Sequence, residues 1–324
     1  MKIGILGYGN LGHGAELAAI GAKDVTLVGI FTRREPGTLK SVSGAPIFPA
    51  ASAAEHQGEI DVMLLCGGST SDLPEQTPEL ARFFNVVDSF DTHAKIPEHF
   101  AKVDRAAKEG EKTALISAGW DPGLFSLARL LFHAVLPSGT EYTFWGPGVS
   151  EGHSEAIRRI SGVRDARALT IPDEDLFSAV RRGEMPEFCP RRGHRRKCLV
   201  VAEAGADRAR IEKEIRCLPN YFAGAEVTVS FVSEEELRCL CTGLSHGGSV
   251  FCIGSTGVPA HRQTAELRLR LDSNAEYTGA VLLAFARAVF RMHGRGERGC
   301  KTVLEVAPAD LSPLTPERLR KLYL

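Results

Sequence analysis

The chain opens on an apolar segment, Lys2 to Leu6, that runs straight into Gly7-Tyr8-Gly9-Asn10-Leu11-Gly12. Small and apolar residues follow from Leu11 to Ile20, and a second apolar segment runs from Val25 to Phe31. A strand, a GxGxxG turn, a helix and a second strand in this order predict a βαβ unit whose first turn cradles a dinucleotide. Each glycine has its own physical task. Gly7 permits the tight turn, Gly9 lets main chain approach a pyrophosphate, and Gly12 lets the helix pack on the strand. Tyr8, Asn10 and Leu11 complete the turn, and the helix N-terminus offers unpaired N–H groups with a partial positive charge.

The second strand ends in Thr32-Arg33-Arg34. A site for NAD usually presents Asp or Glu here, about 20 residues past the glycines, to the ribose hydroxyls. A carboxylate would repel a 2′-phosphate, whereas a hydroxyl and guanidinium groups accept one through charge-assisted hydrogen bonds. The expected cofactor is therefore NADP, against the plainer reading of Arg33 and Arg34 as a solvated loop pair. Strand candidates continue at Ile60 to Cys66, Asn85 to Asp88 and Thr113 to Ser117, in the spacing of a parallel α/β sheet. Cys66-Gly67-Gly68-Ser69 and Asp88-Ser89-Phe90-Asp91 follow two of these strands, and ligands of open parallel sheets bind at such ends.

The expected architecture is an N-terminal Rossmann-type domain over 1–119 and an α+β domain over 120–300, with 301–324 packing back on the first. Beyond Asp121-Pro122-Gly123 an apolar helix runs from Leu124 to Ala134. Tyr142 to Trp145, Cys198 to Glu203, Glu226 to Val232 and Glu266 to Asp272 then alternate with period two, predicting a mixed or antiparallel sheet. Ala280 to His293 reads as a helix, and Cys239-Leu240-Cys241 reads as strand alternation. Internal repeats are not evident.

With 324 residues and a formal net charge of -1, the composition suits a globular protein of about two domains. The one dense basic run, Arg191 to Lys197, lacks interleaved aromatics, so nucleic acid is not an expected partner. Strand residues begin at Lys2 and no apolar run reaches the roughly 20 residues of a membrane span, which predicts a cytoplasmic protein. The eight cysteines, Cys66, Cys189, Cys198, Cys217, Cys239, Cys241, Cys252 and Cys300, form no CxxC pair, so reduced thiols and no metal site are expected.

Asp91 and Asp121 both follow predicted strands of the nucleotide domain. Two carboxylates converging on one cleft would suit an ammonium group, although Asp-Pro-Gly is also an ordinary turn and Asp91 an ordinary loop cap. By the residues alone, His246 before two glycines suits a turn as readily as a ligand, Asn274 a turn or a helix cap, and Thr170 a strand end.

Together, Gly7 to Gly12, Leu73-Pro74-Glu75-Gln76, Asp88 to His93, Gly119-Trp120-Asp121-Pro122-Gly123, Phe144-Trp145-Gly146-Pro147-Gly148, Gly152 to Arg159 and His246-Gly247-Gly248 resemble the meso-diaminopimelate dehydrogenase family. The resemblance spans nearly the whole chain in order. It implies reversible, NADP-dependent oxidative deamination at the D-centre of meso-diaminopimelate, and a homodimer joined through the second domain. It further implies that Asp91 and Asp121 hold the D-centre amine and that Trp120 and Trp145 shape the pocket. Thr170, Arg196, His246 and Asn274 are then implied to hold the distal L-amino-acid end, with His194-Arg195-Arg196-Lys197-Cys198 matching the family string. The chain departs from the family at Ala128, where Asn is usual, at His13, where Arg is usual, and over Ser255 to Ala265. Another two-domain reductase or amino-acid dehydrogenase would keep the nucleotide half without the Trp120-Asp121 and Trp145 strings. A non-catalytic NADP sensor would keep the glycine turn and lose the polar site.

Overall fold

A computed structural model describes residues 1–188, 193–219, 221–241 and 245–324. Cys189, Arg191 and Arg192 of the sequence reading lie outside the described residues. In chain order the elements are β1 (Lys2–Leu6), α1 (Asn10–Ile20), β2 (Thr26–Thr32), β3 (Ile47–Pro49), β4 (Val62–Leu65), α2 (Leu73–Leu80), β5 (Asn85–Asp88), α3 (Ile96–Glu109) and β6 (Thr113–Leu115). They continue with α4 (Leu124–Val135), β7 (Thr140–Trp145), β8 (Gly148–Val149), α5 (Glu151–Arg158), β9 (Val163–Pro172), α6 (Glu174–Arg181), β10 (His194–Ala202) and α7 (Arg208–Cys217). The remainder are β11 (Glu226–Phe231), α8 (Glu234–Leu240), β12 (His246–Thr256), β13 (His261–Leu271), α9 (Asn274–Gly294), β14 (Gly299–Lys301) and α10 (Pro316–Tyr323).

The chain divides into two compact units, Met1–Leu127 with Ala275–Leu324, and Ala128–Asn274. The first holds a seven-stranded sheet in the order β14-β6-β5-β4-β1-β2-β3, with every pairing parallel. Strand order reverses between β1 and β4, so the turns after these two strands flank the crevice where doubly wound sheets take their ligands. Parallel strands are covered on both faces, which is why β4 and β5 are buried at every position. On one face Ile3, Ile5, Val62 and Leu64 pack with Ala15 and Ala19 of α1 and with Leu282, Phe285 and Val289 of α9. On the other, Met63, Leu65 and Val86 meet Leu73 and Leu80 of α2 and Val103 and Ala106 of α3.

The domain boundaries differ from the sequence reading, because α9 belongs to the first unit rather than to 120–300. Small residues make this packing possible. A Cβ on Gly279 would fall 2.4 Å from the Ala15 nitrogen, and one on Gly14 would fall 2.3 Å from the Ala275 carbonyl oxygen, so α1 and α9 touch main chain to main chain. Residues 301–324 belong to the first unit as well.

The second unit carries two sheets. One is mixed, β11-β10-β9-β8, with β10 parallel to β11 and antiparallel to β9. The other is antiparallel, β13-β12-β7. Ala166, Ala168, Cys198 and Val200 form the core of the mixed sheet with Ile157 of α5 and with Ile211 and Ile215 of α7. Tyr142, Phe144, Phe251 and Ile253 of the antiparallel sheet pack with Val180 of α6. Cys239 and Leu240 correct the sequence reading of a strand, since they lie in α8. Ser233 accepts the Glu236 N–H while Glu236 takes the Ser233 N–H, and this reciprocal cap starts the helix.

Candidate active site

The turn after β1 has the form a pyrophosphate needs. Gly7 has φ +93°, a conformation that a residue with a side chain rarely adopts, and a Cβ there would meet the Cys66 main chain at 3.0 Å. On Gly12 a Cβ would fall 2.0 Å from the Gly7 carbonyl oxygen, whereas on Gly9 it would meet nothing within 4 Å. Space therefore opens at the residue that starts α1. No side chain caps that helix and no acidic residue sits in its first turn, so its N–H groups and partial positive charge face an anion unopposed.

Around this turn the remaining residues order one another. The Tyr8 hydroxyl donates to Glu16, which is fully buried and also accepts the Ser43 N–H at 2.8 Å and the Ser41 and Ser43 hydroxyls, each at 2.6 Å. Burial pushes the Glu16 carboxyl up, but the bonds from Ser41, Ser43 and Tyr8 outweigh it and bring it down to about 2. Arg34 donates to the Tyr8 carbonyl, and its own N–H donates to the buried Thr32 hydroxyl at 3.2 Å. Arg33 forms a two-pronged pair with Asp72, at 2.9 and 3.1 Å, while Asp72 also accepts the Gly68 N–H at 2.8 Å. The strand tip that carries Thr32, Arg33 and Arg34 is thus tied to the turns after β1 and β4. Cys66 packs in the core and burial pushes its thiol up to about 12, and Gly67, Gly68 and Ser69 follow it at the end of β4.

Asp91 and Asp121 lie on two loops at the same end of that sheet. The Asp91 N–H donates to the Ser69 hydroxyl at 2.9 Å, and its side chain is exposed. Asp121 follows Trp120, which is 8% exposed and packs edge-on against Phe125 at 5.3 Å. The loop is pinned at its far end, where Leu124 and Phe125 donate to the carbonyls of Gly119 and Trp120 at 3.0 and 2.8 Å.

In the second unit the two sheets meet at a seam. Trp145 ends β7, and Gly146 and Gly148 carry the chain across to β8. A Cβ on Gly146 would fall 2.2 Å from the Thr170 carbonyl oxygen, and one on Gly148 would fall 2.4 Å from the His246 Cα. Only glycines allow Thr170 and His246 to come so near the same crossing. On the neighbouring strand Arg196 stands opposite Thr170 in register and donates to its hydroxyl. The Trp145 N–H donates to His194 Nε2 at 2.8 Å, and the two rings lie 5.1 Å apart.

Arg196 is half-buried, its Nε has no hydrogen-bond partner, and no carboxylate pairs with it among the described residues. Desolvation draws its guanidinium below the usual arginine range. His153 and His246 lie near enough to feel the charge; burial first, and Arg196 in addition, hold each of them down to about 4. Both imidazoles are therefore neutral at pH 7. His246 Nδ1 lies 2.8 Å from the Gly247 nitrogen and 3.1 Å from the Gly247 carbonyl oxygen, so this end of the ring is held by main chain. A guanidinium, a hydroxyl and neutral imidazoles at one seam have the chemistry that suits a carboxylate.

Of the residues proposed from sequence, Trp145, Thr170, Arg196 and His246 are brought to this seam, and Asn274 opens α9 at the edge of the same unit. Sequence reasoning assigned no role to His153, which sits between Tyr221 and Phe222 with Nδ1 2.7 Å from the Ser150 hydroxyl. Its one signal was its place in Gly152-His153-Ser154. Groups of three or more metal-ligating side chains are absent among the described residues.

Residues 119–273 match the family model of the diaminopimelic acid dehydrogenase C-terminal domain. The chain is 51% identical to the meso-diaminopimelate D-dehydrogenase of Acetivibrio thermocellus, covering 100% of this chain and 98% of that one. Among solved structures it resembles Corynebacterium glutamicum DAP dehydrogenase in complex with DAP, with TM-score 0.95 and 44% identity, covering 100% and 99% of the two chains. It also resembles an engineered D-amino acid dehydrogenase bound to NADP+, with TM-score 0.93 and 42% identity over 100% and 99%. Half identical to such a relative from end to end, with the glycine turn and the family's C-terminal domain in one chain, this protein belongs to the meso-diaminopimelate D-dehydrogenase family.

Proposed function

We infer that the chain catalyses the reversible, NADP-dependent oxidative deamination of meso-diaminopimelate at its D-centre, giving L-2-amino-6-oxopimelate, which cyclises to tetrahydrodipicolinate, and ammonia. The observation that carries this reading is Arg196, a half-buried guanidinium with an unpartnered Nε beside a hydroxyl and two neutral imidazoles. A substrate with two amino-acid ends needs one end fixed so that the other can react, and a carboxylate is what Arg196 lacks.

The first unit fits NADP. The open Gly9 position and the uncapped α1 N-terminus suit its pyrophosphate, and Arg33 and Arg34 suit its 2′-phosphate. Bound NADP+ supplies the hydride acceptor of the reaction. All other steps fall to the chain's own groups. Arg196 binds the distal carboxylate through two N–H donors, while Thr170, already accepting from Arg196, turns its own hydroxyl proton toward the same carboxylate. The His246 ring meets that end, and Asn274 holds the L-amino group. Trp120 and Trp145 wall the aliphatic middle. Asp91 and Asp121 face the D-centre and stabilise the positive charge on nitrogen as the amine becomes an iminium ion, which water then opens to release ammonia.

Arg196→Met tests the reading. Calorimetry should show meso-diaminopimelate binding weakened by about 2 to 5 kcal/mol, the cost of removing such a charged contact, with NADP binding unchanged. Equal loss of both affinities would return Arg196 to a role in folding. We also propose a homodimer joined through the β13-β12-β7 sheet, whose edge strand β13 is exposed along most of its length. Light scattering at a mass of one chain would contradict this. Cytoplasmic residence is supported by the free state of the seven described cysteines, and no described helix is long and apolar enough to cross a membrane.

A further inference from the structure

Asp88 ends β5 and is fully buried, yet its carboxylate touches neither the glycine turn nor the residues given to substrate. A charge so placed needs partners, and four groups donate to it. Oδ2 accepts the Thr77 hydroxyl at 2.8 Å from α2 and His99 Nε2 at 2.7 Å from α3. Oδ1 accepts two main-chain N–H groups, those of Phe90 at 3.1 Å and Ser117 at 2.8 Å. The Asp88 carbonyl adds the Ala118 N–H at 2.9 Å.

The two oxygens thus have different work. Oδ2 is held by two helices, and Oδ1 hands that fixed position to the two loops. Phe90 is the residue before Asp91, and its ring stacks on His99 at 4.1 Å and 18°, so this segment is gripped by both main chain and side chain. Ser117 begins the run to Trp120 and Asp121. Its φ of +60° is strained for a residue with a side chain and turns the chain sharply where the N–H meets Oδ1. A side chain serving only to close the end of β5 could be apolar; this one instead takes one N–H from each carboxylate-bearing loop.

We propose that Asp88 is a positioning residue for the reaction, setting the spacing of the Asp91 and Asp121 loops relative to one another through its single Oδ1 atom. The role rests on the reading of Asp91 and Asp121 as the pair that faces the D-centre. It acts through those loops, so its loss should fall on turnover and spare the cofactor.

The test measures kcat, the KM for meso-diaminopimelate and the Kd for NADP in Asp88→Asn, Asp91→Asn and the double variant, with Thr77→Val and Thr77→Ser alongside. Asp88→Asn should lower kcat tenfold or more with the NADP Kd within about twofold of the parent. Added to Asp91→Asn, it should lower kcat less than threefold further, because one of the two carboxylates whose spacing it sets is already gone. Thr77→Val should lose several-fold in kcat, and Thr77→Ser, which keeps the hydroxyl, should recover to within twofold; this pair carries the test should Asp88→Asn fail to fold. Full multiplicative loss in the double variant, unchanged kcat in Asp88→Asn, or Thr77→Ser as slow as Thr77→Val would overturn the positioning role. An Asp91→Asn variant of undiminished kcat would instead overturn the assignment of Asp91 itself, and the role of Asp88 with it.

Discussion

At Arg196 the chain keeps a half-buried guanidinium beside Thr170 with no carboxylate opposite it among the described residues. Burying a charge without its counter-charge is unfavourable, and the arrangement makes physical sense as a site completed by the substrate. Asp121 poses the opposite problem. An alkyl ammonium has a pKa near that of lysine, about 10.4, and oxidation needs the neutral amine, so the rate should rise with pH above neutral. Nearby carboxylates favour the ammonium and raise its bound pKa, which works against this; their benefit must come later, on the iminium ion. Asp121→Asn should therefore lower turnover more than it weakens NADP binding and move the alkaline limb of the rate profile to lower pH. A profile identical to the parent's at full rate would return Asp121 to the part of a turn residue. Glu16 bears on stability. Its folded pKa of about 2 lies below the ordinary 4.5, so its contribution is present above pH 4.5 and is lost as pH falls toward 2. Denaturant melts should find Glu16→Gln destabilised at pH 7, by up to about 3 kcal/mol from a shift of this size, with the gap to the parent narrowing at pH 3.

The elements show where sequence patterns speak and where they mislead. β1 and β5 fall on the residues expected, because each is a short apolar run bounded by glycines or by charged and polar residues. β12 was missed as a strand although it runs for 11 residues, since His246-Gly247-Gly248-Ser249 reads as a turn until β7 and β13 pair on its two sides. At α8 the Cys239-Leu240-Cys241 alternation lost to the cap formed by Ser233 and Glu236, which lies several residues upstream and decides the backbone before the alternation begins. The glycine turn, by contrast, was legible because its chemistry and its sterics coincide. Gly12→Ala should force α1 away from β1, since its Cβ would fall 2.0 Å from the Gly7 oxygen. Overpacking of this kind costs roughly 1 to 3 kcal/mol, visible as a lower melting temperature together with weakened NADP binding. At the tip of β2, neutral residues in place of both Arg33 and Arg34 should abolish or reverse the preference for NADP over NAD. Retained NADP affinity in a steady-state titration with both cofactors would remove that assignment.

At the scale of the whole molecule, the parallel sheet and the mixed second unit were legible, but the limits of the units were not. Only packing shows that α9 joins the first core, because a helix with a small-residue face suits either sheet until Gly279 is set against Ala15. The candidate site divides in the same way. Arg196 stood inside a basic run that reads as solvated surface, and it was raised from that run by resemblance rather than by any local pattern. What sets it apart is register, which puts Arg196 opposite Thr170 on β10 and β9, and the Gly146-to-Gly148 crossing, which brings His246 of β12 near. Asp88 and His99 left no signal, since a buried carboxylate that accepts main-chain N–H groups is invisible before the loops are folded. If one end of a two-ended amino acid is held by its L-configuration while the D-centre reacts, the three stereoisomers must behave differently. Initial rates of NADP+ reduction with meso-, LL- and DD-diaminopimelate at equal concentration test it most directly. Reduction should be rapid with the meso isomer and slight or absent with the other two; equal rates with the DD isomer, or a preference for the LL isomer, would rule out a site that fixes the L-end.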